Sequence, residues 1–245
     1  YAMAMKQFAE AGKRTIQIKR GMTAMKLRRA WLESESIGQW GRRWGEGEHR
    51  PASYFQNYDQ HIRCWIPEYD NLNKHCADVT QGAIAQRMRS SDSSMKILEI
   101  GYGTGALTEH LLQWINNLNA PMKAFNRQLI VSNYLGIDSA PQMKQIIEGR
   151  LPDREDHQIF EICRAPQWTR AVRDLAPFDV VCGSLVFHDL VVGNVAQLLE
   201  DFHAILKPSG YLIFADVFMA DERTTRDAQL SRWKAWMLRS GLTGK

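Results

Sequence analysis

Short apolar runs alternate along the chain with longer segments in which apolar residues recur every three or four positions. The run at 97–100 is typical of a strand buried on both faces of a sheet. Similar strand-like runs lie at 129–137, 158–163, 178–184 and 210–217. The helical segments between them lie at 104–118, 140–149, 166–174 and 194–206. This alternation predicts an α/β fold built on a doubly wound, mostly parallel sheet.

Segments with a different pattern flank this alternation. Residues 1–36 show helical spacing of apolar positions, and the glycine-rich stretch 37–53 is typical of a loop or hinge. We therefore interpret residues 1–53 as a helical N-terminal arm or lid and residues 54–245 as the core. A helix is expected before the first strand of the core, and an amphipathic helix at about 222–240 follows the last strand.

A glycine-rich turn follows the first strand. Gly101, Gly103 and Gly105 stand at alternating positions, and Thr104 is placed to cap the helix that comes next. Glycine suits such a turn because a side chain would block close approach of a ligand to the backbone. A strand, a tight turn and a helix N-terminus together form a nucleotide-binding crevice at the carboxyl end of a sheet. The turn is therefore the predicted cofactor site.

Two classes of cofactor are bound by turns of this kind. Gly101, Gly103 and Ala106 satisfy the G-x-G-x-x-A pattern of dinucleotide folds, but asparagines stand about 20 residues further on, where those folds place a ribose-binding acid. The first acid at a strand end is instead Asp138, and Glu99 stands two residues before the first glycine. An E-x-G-x-G-x-G turn followed by a strand that ends in Asp resembles the class I S-adenosylmethionine (SAM) methyltransferases.

This resemblance implies a Rossmann-like methyltransferase fold with SAM as the cofactor. In that family the glycine loop passes under the methionine part of SAM, and the acid after the second strand binds the ribose hydroxyls. The cofactor contacts that the resemblance implies are Glu99, Gly101, Tyr102, Gly103, Gly105, Asp138, Ser139 and Ser184. The segment Y-x-x-x-I-R-x-x-I-P-x-Y is similar to the family's pre-motif, which runs across the SAM pocket, and adds Tyr58, Arg63 and Tyr69.

The chain departs from the family pattern at two places. The third strand of the family usually leads to an Asp that binds the adenine amino group, whereas this chain has Phe-Glu-Ile-Cys-Arg at 160–164. We expect backbone groups or Trp168 to hold the adenine instead. The family also normally adds an antiparallel hairpin of two strands at the C-terminal end. The sequence after 217 has no pattern for this hairpin, so we expect it to be absent.

The chemistry is predicted at the ends of the fourth and fifth strands. His188 comes just after the fourth strand, at the edge where ligands of open α/β sheets bind. Methyl transfer to oxygen or to an acidic carbon needs a base, and neutral histidine is suited to this near pH 7. A carboxylate fixes the tautomer of such a base and stabilises its protonated form. Asp216, which ends the fifth strand, is the best-placed partner because adjacent strands lie about 4.8 Å apart. Asp189 is the alternative.

The pair formed by His188 and Asp216 resembles one group within the methyltransferase family. Polyketide-synthase methyltransferase domains have a histidine after the fourth strand and an acid at the end of the fifth, usually Glu in the carbon-methylating domains. The resemblance implies SAM-dependent methyl transfer to oxygen or carbon of a small molecule in natural product biosynthesis, with an acyl chain on an acyl carrier protein as a candidate acceptor. A structural role for His188 in the substrate-pocket wall is the alternative for that residue.

Two other function classes stay open. A nicotinamide-dependent oxidoreductase is disfavoured by Glu99 and by the late acid Asp138. A methyltransferase-like structural module without catalysis is favoured by the missing adenine acid and hairpin, and disfavoured by the intact glycine loop and His188.

The amino-acid composition limits the class of protein and the kinds of site that we expect. Apolar residues make up 44% and charged residues 24% of the chain, which is ordinary for a globular protein. The four cysteines show no metal-ligand spacing, so we predict no metal site and expect reduced thiols in a cytoplasmic protein. No apolar run approaches the roughly 18 residues of a membrane-spanning helix, and there is no signal-peptide pattern.

The net charge of +4 is unevenly distributed. Residues 1–50 hold eleven Lys and Arg against five Glu, so this segment carries +6 and the remainder −2. A solvated helix surface accounts for the excess, and a docking surface for an acidic partner such as a carrier protein is the alternative. Aromatic residues are not interleaved with these charges as in single-strand nucleic-acid surfaces, so nucleic acid is not an expected partner.

Overall fold

The computed structural model describes residues 2–7, 57–89, 94–151, 158–162, 168, 172–190, 195–218, 220 and 222–240. These residues fall into two compact units. The sheet unit comprises the described residues within 2–13 and 70–216, and the helical unit comprises those within 57–69 and 217–240.

The sheet unit is built on six strands. They are β1 (Ala2–Gln7), β2 (Met95–Ile100), β3 (Val131–Asp138), β4 (Gln158–Ile162), β5 (Phe178–Ser184) and β6 (Leu206–Asp216). Their order across the sheet is β1-β6-β5-β2-β3-β4, with β2 to β6 parallel and β1 antiparallel to β6. The chain reverses its direction of winding between β2 and β5. This is the topological switch point at which open α/β sheets bind ligands.

A short 3₁₀ helix lies at Arg173–Leu175, and seven α-helices are described. They are α1 (Tyr58–Trp65), α2 (Tyr69–Met88), α3 (Ala106–Ala124), α4 (Pro141–Arg150), α5 (Phe187–Leu190), α6 (Val195–Ile205) and α7 (Arg223–Arg239). Strands and helices alternate from β2 to β6, which confirms the predicted doubly wound, mostly parallel sheet. The predicted helix at 166–174 lies largely outside the described residues.

The apolar runs predict the strands well because the central strands are buried on both faces. Ile97 and Leu98 of β2 and Val180 and Val181 of β5 are all completely buried. Parallel strands covered by helices on both sides require such continuous apolar sequences.

Residues 2–7 form β1 rather than the helix predicted over 1–36. The strand runs antiparallel to β6, with Ala2 opposite Asp216 and Gln7 opposite Tyr211. The edge of β6 carries backbone N–H and C=O groups that need partners, and β1 supplies them. The local sequence of Ala and Met favours a helix, but pairing with a distant strand overrides this weak propensity. The rest of the predicted arm, 8–53, lies outside the described residues.

The helical unit contains α1 and α7. Trp233 of α7 is buried, and its indole N–H donates to the Trp65 carbonyl. The Cys64 thiol donates to the Ser240 carbonyl at 3.2 Å. Helix α7 follows β6 along the chain, and the described residues from 217 to 240 contain no strand.

A buried carboxylate joins the amino ends of three strands. Asp179 of β5 has a fully buried side chain and accepts from Lys207 Nζ at 2.7 Å and from Arg87 Nε at 3.2 Å. Its Oδ2 also accepts from the backbone N–H of Lys96 at 2.9 Å. The carboxylate therefore links β2, β5, β6 and α2 at the edge of the sheet opposite the ligand-binding edge.

Replacing Asp179 by asparagine is expected to destabilise the protein. The substitution keeps the shape but removes the charge that pairs with Arg87 and Lys207. We expect a loss of about 2–4 kcal/mol in the free energy of unfolding in urea, near the range for a broken buried pair. The control is Asp227→Asn, because Asp227 forms an exposed pair with Arg223 at 3.7 Å and should lose less than about 1 kcal/mol. Equal losses in the two variants would contradict a structural role for the Asp179 network.

Candidate active site

Three glycines shape the turn after β2. Gly101, Gly103 and Gly105 have φ values of 71°, 53° and 91°, which lie in the left-handed region that glycine tolerates. A Cβ atom at Gly101 would lie 2.6 Å from Cγ2 of Val186, so protein packing itself requires that glycine. A Cβ atom at Gly103 would meet no atom of the described residues within 4 Å. Among these residues, nothing blocks the approach of a ligand to the Gly103 backbone.

The helix after the turn begins one residue later than predicted. The N-cap of α3 is Gly105, and no side chain caps the helix, so the prediction that Thr104 is the cap is wrong. Thr104 is buried, and its carbonyl accepts from Arg150 Nη1 at 2.7 Å. The left-handed conformation of Gly105 turns the chain into the helix, which moves Thr104 out of the capping position.

Asp138, at the end of β3, holds the glycine turn in place. Its Oδ2 accepts from the Gly103 N–H at 2.9 Å, and its Oδ1 accepts from the Ala140 N–H at 2.8 Å. Ser139 follows it and is exposed. Asp138 therefore positions the glycine turn, which is the predicted cofactor site.

Glu99 points into the interior of the sheet unit. It is 1% exposed, and its Oε2 accepts from the Thr108 hydroxyl at 2.7 Å and from the Tyr134 hydroxyl. Burial raises the pKa of this carboxyl to about 7, although the hydrogen bonds from Tyr134 and Thr108 act in the opposite direction. Glu99 thus holds its proton over a range in which an exposed glutamate has lost it.

This raised pKa predicts a pH-dependent stability. Between an unfolded pKa near 4.5 and a folded pKa near 7, the folded protein binds a proton that the unfolded chain has released, so the contribution of Glu99 to stability falls as pH rises through this window. Glu99→Gln keeps an acceptor for Tyr134 and Thr108 and removes the titration. We expect the difference in the free energy of unfolding, variant minus wild type, to be about 1–3 kcal/mol larger at pH 8 than at pH 5, so the variant gains stability relative to wild type as pH rises. A difference that does not change with pH would contradict the raised pKa.

Unpaired polar atoms collect around the turn. Among the residues that the structure describes, four buried side-chain atoms lack a hydrogen-bond partner: Glu99 Oε1, Tyr102 Oη, Ser184 Oγ and Trp236 Nε1. The first three belong to the sheet unit, at the end of β2, in the turn and at the end of β5. Buried polar groups are nearly always paired, so a cluster of exceptions calls for a reason. Because Glu99 points into the interior, completion by a polar ligand at this edge of the sheet applies to Tyr102 Oη and Ser184 Oγ.

His188 and Asp216 lie in contact at the same edge. Nδ1 of His188 is 2.9 Å from both carboxylate oxygens of Asp216, and the His188 backbone N–H donates to Oδ2 at 3.1 Å. The Asp216 side chain is 1% exposed and the His188 side chain 35%. Because an ionised carboxylate only accepts hydrogen bonds, Nδ1 carries the proton and Nε2 is the basic nitrogen. The side chain of Asp189, the alternative partner, lies outside the described residues.

A strained segment connects this pair to the glycine turn. Leu185 has a φ of 56°, which is unfavourable for a residue with a branched side chain, and its N–H donates to the Ala215 carbonyl at 2.7 Å. Val186, the next residue, packs against Gly101. Sequence reasoning missed both residues, because neither a backbone dihedral nor a van der Waals contact leaves a pattern in one sequence.

The three pre-motif residues belong to the helical unit. Tyr58 and Arg63 lie on α1, and Tyr69 begins α2. The Arg63 guanidinium lies 6.0 Å from the centroid of the Tyr69 ring, and its Nη1 donates to the Asp59 carbonyl at 3.1 Å. Their contact with the cofactor stays a prediction.

Trp168 is not placed to hold an adenine. It is 4% exposed, and its ring lies 5.0 Å from Phe202 of α6, which in turn contacts Phe214 of β6. It is therefore part of the core beside β6, whereas the third parallel strand, β4, forms the opposite edge of the sheet. The expectation for Trp168 is wrong because a single sequence does not distinguish a buried tryptophan from a ligand-facing one.

Metal-ligating clusters and membrane-spanning helices are absent from the described part of the chain. No group of three or more His, Cys, Asp or Glu side chains there could hold a metal ion. Of the helices that the structure describes, none combines the length and apolar character needed to span a bilayer. A surface cavity of about 240 Å³ lies on α2 and α3, lined among others by Lys74, His110 and Trp114, and contains no predicted site residue.

Comparison with known proteins identifies the family. A family profile described as a methyltransferase domain matches residues 71–243. The chain belongs to the class I SAM-dependent methyltransferases. SAM is therefore the cofactor. The Gly103 backbone, which no described residue blocks, and the unpaired atoms of Tyr102 and Ser184 fit a polar ligand at the turn.

The chain is also similar to individual methyltransferases and to part of a polyketide synthase. An uncharacterized methyltransferase of Oceanobacillus iheyensis is 25% identical over 178 residues, covering 71% of this methyltransferase and 69% of the relative. Probable polyketide synthase 13 of Dictyostelium discoideum is 29% identical over 126 residues, covering 50% of this chain and 5% of the synthase. The solved DszA carbon methyltransferase has a TM-score of 0.50 and 18% identity, covers 89% of this chain, and is matched over 54% of its own length. The structural likeness supports the fold, and this chain spans about half of that structure.

Proposed function

We propose that this methyltransferase transfers a methyl group to a carbon or oxygen atom of a small molecule, and that the acceptor must lose a proton in the reaction. The observation that carries this proposal is the contact between His188 and the buried carboxylate of Asp216. A methyltransferase acting on an already nucleophilic atom needs no such base, whereas a hydroxyl or an acidic carbon does.

The residues around the glycine turn are the proposed cofactor site. Gly101, Gly103 and Gly105 leave the backbone accessible, and Asp138 with Ser139 is proposed to bind the ribose. Glu99, Tyr102 and Ser184 supply polar atoms beneath and beside the turn. Contact with SAM is also proposed for the pre-motif residues Tyr58, Arg63 and Tyr69. When bound, SAM supplies an electrophilic methyl group.

His188 is proposed to act as the general base. Nδ1 donates to Asp216, so Nε2 takes the proton that the acceptor releases as its oxygen or carbon forms the new bond. The resulting imidazolium is stabilised by Asp216. This stabilisation is strong because the carboxylate is 1% exposed, and electrostatic interactions weaken less in a poorly solvated environment than in water. Asp216 also fixes the ring orientation through its second hydrogen bond, to the His188 backbone.

An acyl chain on a carrier protein is the proposed acceptor class. Two observations support it: the partial similarity to a polyketide synthase, and the excess of +6 in residues 1–50, which suits an acidic carrier protein. A 3-oxoacyl thioester also has an acidic carbon between two carbonyl groups, which is the kind of atom that requires a base.

The proposal can be tested with methyl-labelled SAM and a matched set of thioesters. We expect transfer to an acetoacetyl thioester, faster on a carrier protein than on a small thiol. We expect no transfer to the 2,2-dimethyl analogue, which has no acidic proton at that carbon. Transfer to a hydroxylated acceptor instead would assign oxygen as the acceptor atom. Transfer only to amines, or SAM binding without transfer to any acceptor in the set, would contradict the proposal.

A further inference from the structure

Tyr102 occupies the middle of the glycine turn, and its ring is buried against two strands. Its side chain is 2% exposed, and its ring packs edge-on against Phe160 of β4 with the centroids 5.4 Å apart. It also lies over Gly136 of β3, where an added Cβ atom would come within 3.1 Å of Tyr102 Cδ1. The ring therefore fills the space between the turn and the two strands β3 and β4.

The Tyr102 hydroxyl is buried and has no hydrogen-bond partner in the part of the chain that the structure describes. Burial, followed by the charges of Asp138, Glu148 and Glu161, raises the pKa of the phenol, so the group stays protonated and remains a donor. A buried donor without an acceptor is unfavourable for the protein that carries it. A phenylalanine would fill the same space without this penalty, so the hydroxyl requires another explanation.

The position of this hydroxyl relative to the rest of the site indicates its partner. The base, His188, lies at the β5 and β6 side of the switch point, so the reacting methyl group must lie on that side. The Tyr102 ring packs against Phe160 of β4 and lies over Gly136 of β3, so it lies on the other side of the switch point. In the proposed arrangement, with the ribose at Asp138, this is the side toward which the adenosyl half of SAM extends.

We propose that the Tyr102 hydroxyl donates a hydrogen bond to the adenosyl half of SAM. The inference rests on the proposed placement of SAM over the glycine turn. Because the hydroxyl is covered, its pairing requires a local shift of the turn, which Gly101, Gly103 and Gly105 permit. The chain has no third-strand aspartate, and Tyr102 supplies a side-chain contact on that side of the crevice instead.

The test is Tyr102→Phe, which removes only the oxygen atom. By calorimetry we expect SAM to bind about 5–15-fold more weakly, the scale of one hydrogen bond. Methylthioadenosine, which carries the adenosyl half, should weaken by the same factor. The affinity for SAM fragments that lack adenosine, such as methionine, should not change. The unfolding free energy of the cofactor-free variant should be equal to or higher than that of wild type.

The matched control is Tyr134→Phe, because the Tyr134 hydroxyl is buried but already bonded to Glu99. This variant should lose stability without a selective loss of adenosyl binding. Unchanged SAM affinity in Tyr102→Phe, or a loss of stability like that of Tyr134→Phe, would overturn the inference and identify the hydroxyl as structural. Neither the SAM affinity nor the free energy of unfolding depends on a methyl acceptor. A wild-type protein that binds SAM but methylates none of the thioesters would therefore refute the proposed function alone.

Discussion

His188→Ala is expected to lower kcat by about 10²–10⁴-fold, the range for loss of a general base. SAM affinity should change little, because the proposed role of His188 is toward the acceptor. The measurement is the initial rate of label transfer at saturating SAM, with SAM affinity determined separately. His110→Ala, at an exposed position of α3, is the control and should retain the wild-type kcat. A His188→Ala enzyme with near-normal kcat would show that the acceptor loses its proton without this residue.

The Asp216 variant distinguishes a coupled pair from two separate residues. Asp216→Asn keeps the side-chain shape but removes the charge that stabilises the imidazolium, so kcat should fall by less than in His188→Ala. If the two side chains act together, the double variant should be little slower than His188→Ala alone. Fully additive losses in kcat would indicate independent roles.

Gly103→Val is expected to abolish measurable SAM binding while the fold persists. No atom of the described residues lies within 4 Å of the new Cβ, so the side chain would occupy the space in which the ligand is proposed to bind. The left-handed φ of 53° should cost about 1–3 kcal/mol of stability, which a domain of this size tolerates. Calorimetry with SAM and urea unfolding measure the two effects separately.

A size series and a matched glycine control make this result specific. Gly103→Ala should weaken SAM binding less than Gly103→Val, because it fills less of the same space. Gly149→Ala in α4 also adds a Cβ atom with no neighbour among the described residues within 4 Å, but at a helical position, and should affect neither SAM binding nor stability adversely. Normal SAM affinity in Gly103→Val would contradict the assignment of this turn.

The fold was largely predictable because each parallel strand is specified by its own residues. A buried strand such as β5 must be apolar throughout, and this requirement is visible in the sequence. β1 was not predictable because its conformation depends on pairing with β6, about 200 residues away, rather than on local propensity. The start of α3 was misplaced by one residue because the conformation of Gly105, not the chemistry of Thr104, ends the turn.

The candidate site was partly predictable for a related reason. Parallel topology brings the ends of neighbouring strands together, so the proximity of His188 and Asp216 followed from the order of the elements. Side-chain burial does not follow from that order. Tyr102 and Glu99 were predicted as cofactor contacts from their place in the motif, but their orientation into the interior depends on packing against Phe160, Tyr134 and Thr108.

The pH dependence of methyl transfer is the most direct measurement of the role of His188. If Nε2 removes the proton of the acceptor, kcat of the wild-type enzyme should rise with pH as His188 loses its proton, because only the neutral imidazole is a base. This rise should disappear in His188→Ala, whose residual rate should not follow the titration of a histidine. A His188→Ala enzyme that keeps the same rise, at nearly the wild-type rate, would contradict the assignment of His188 as the base.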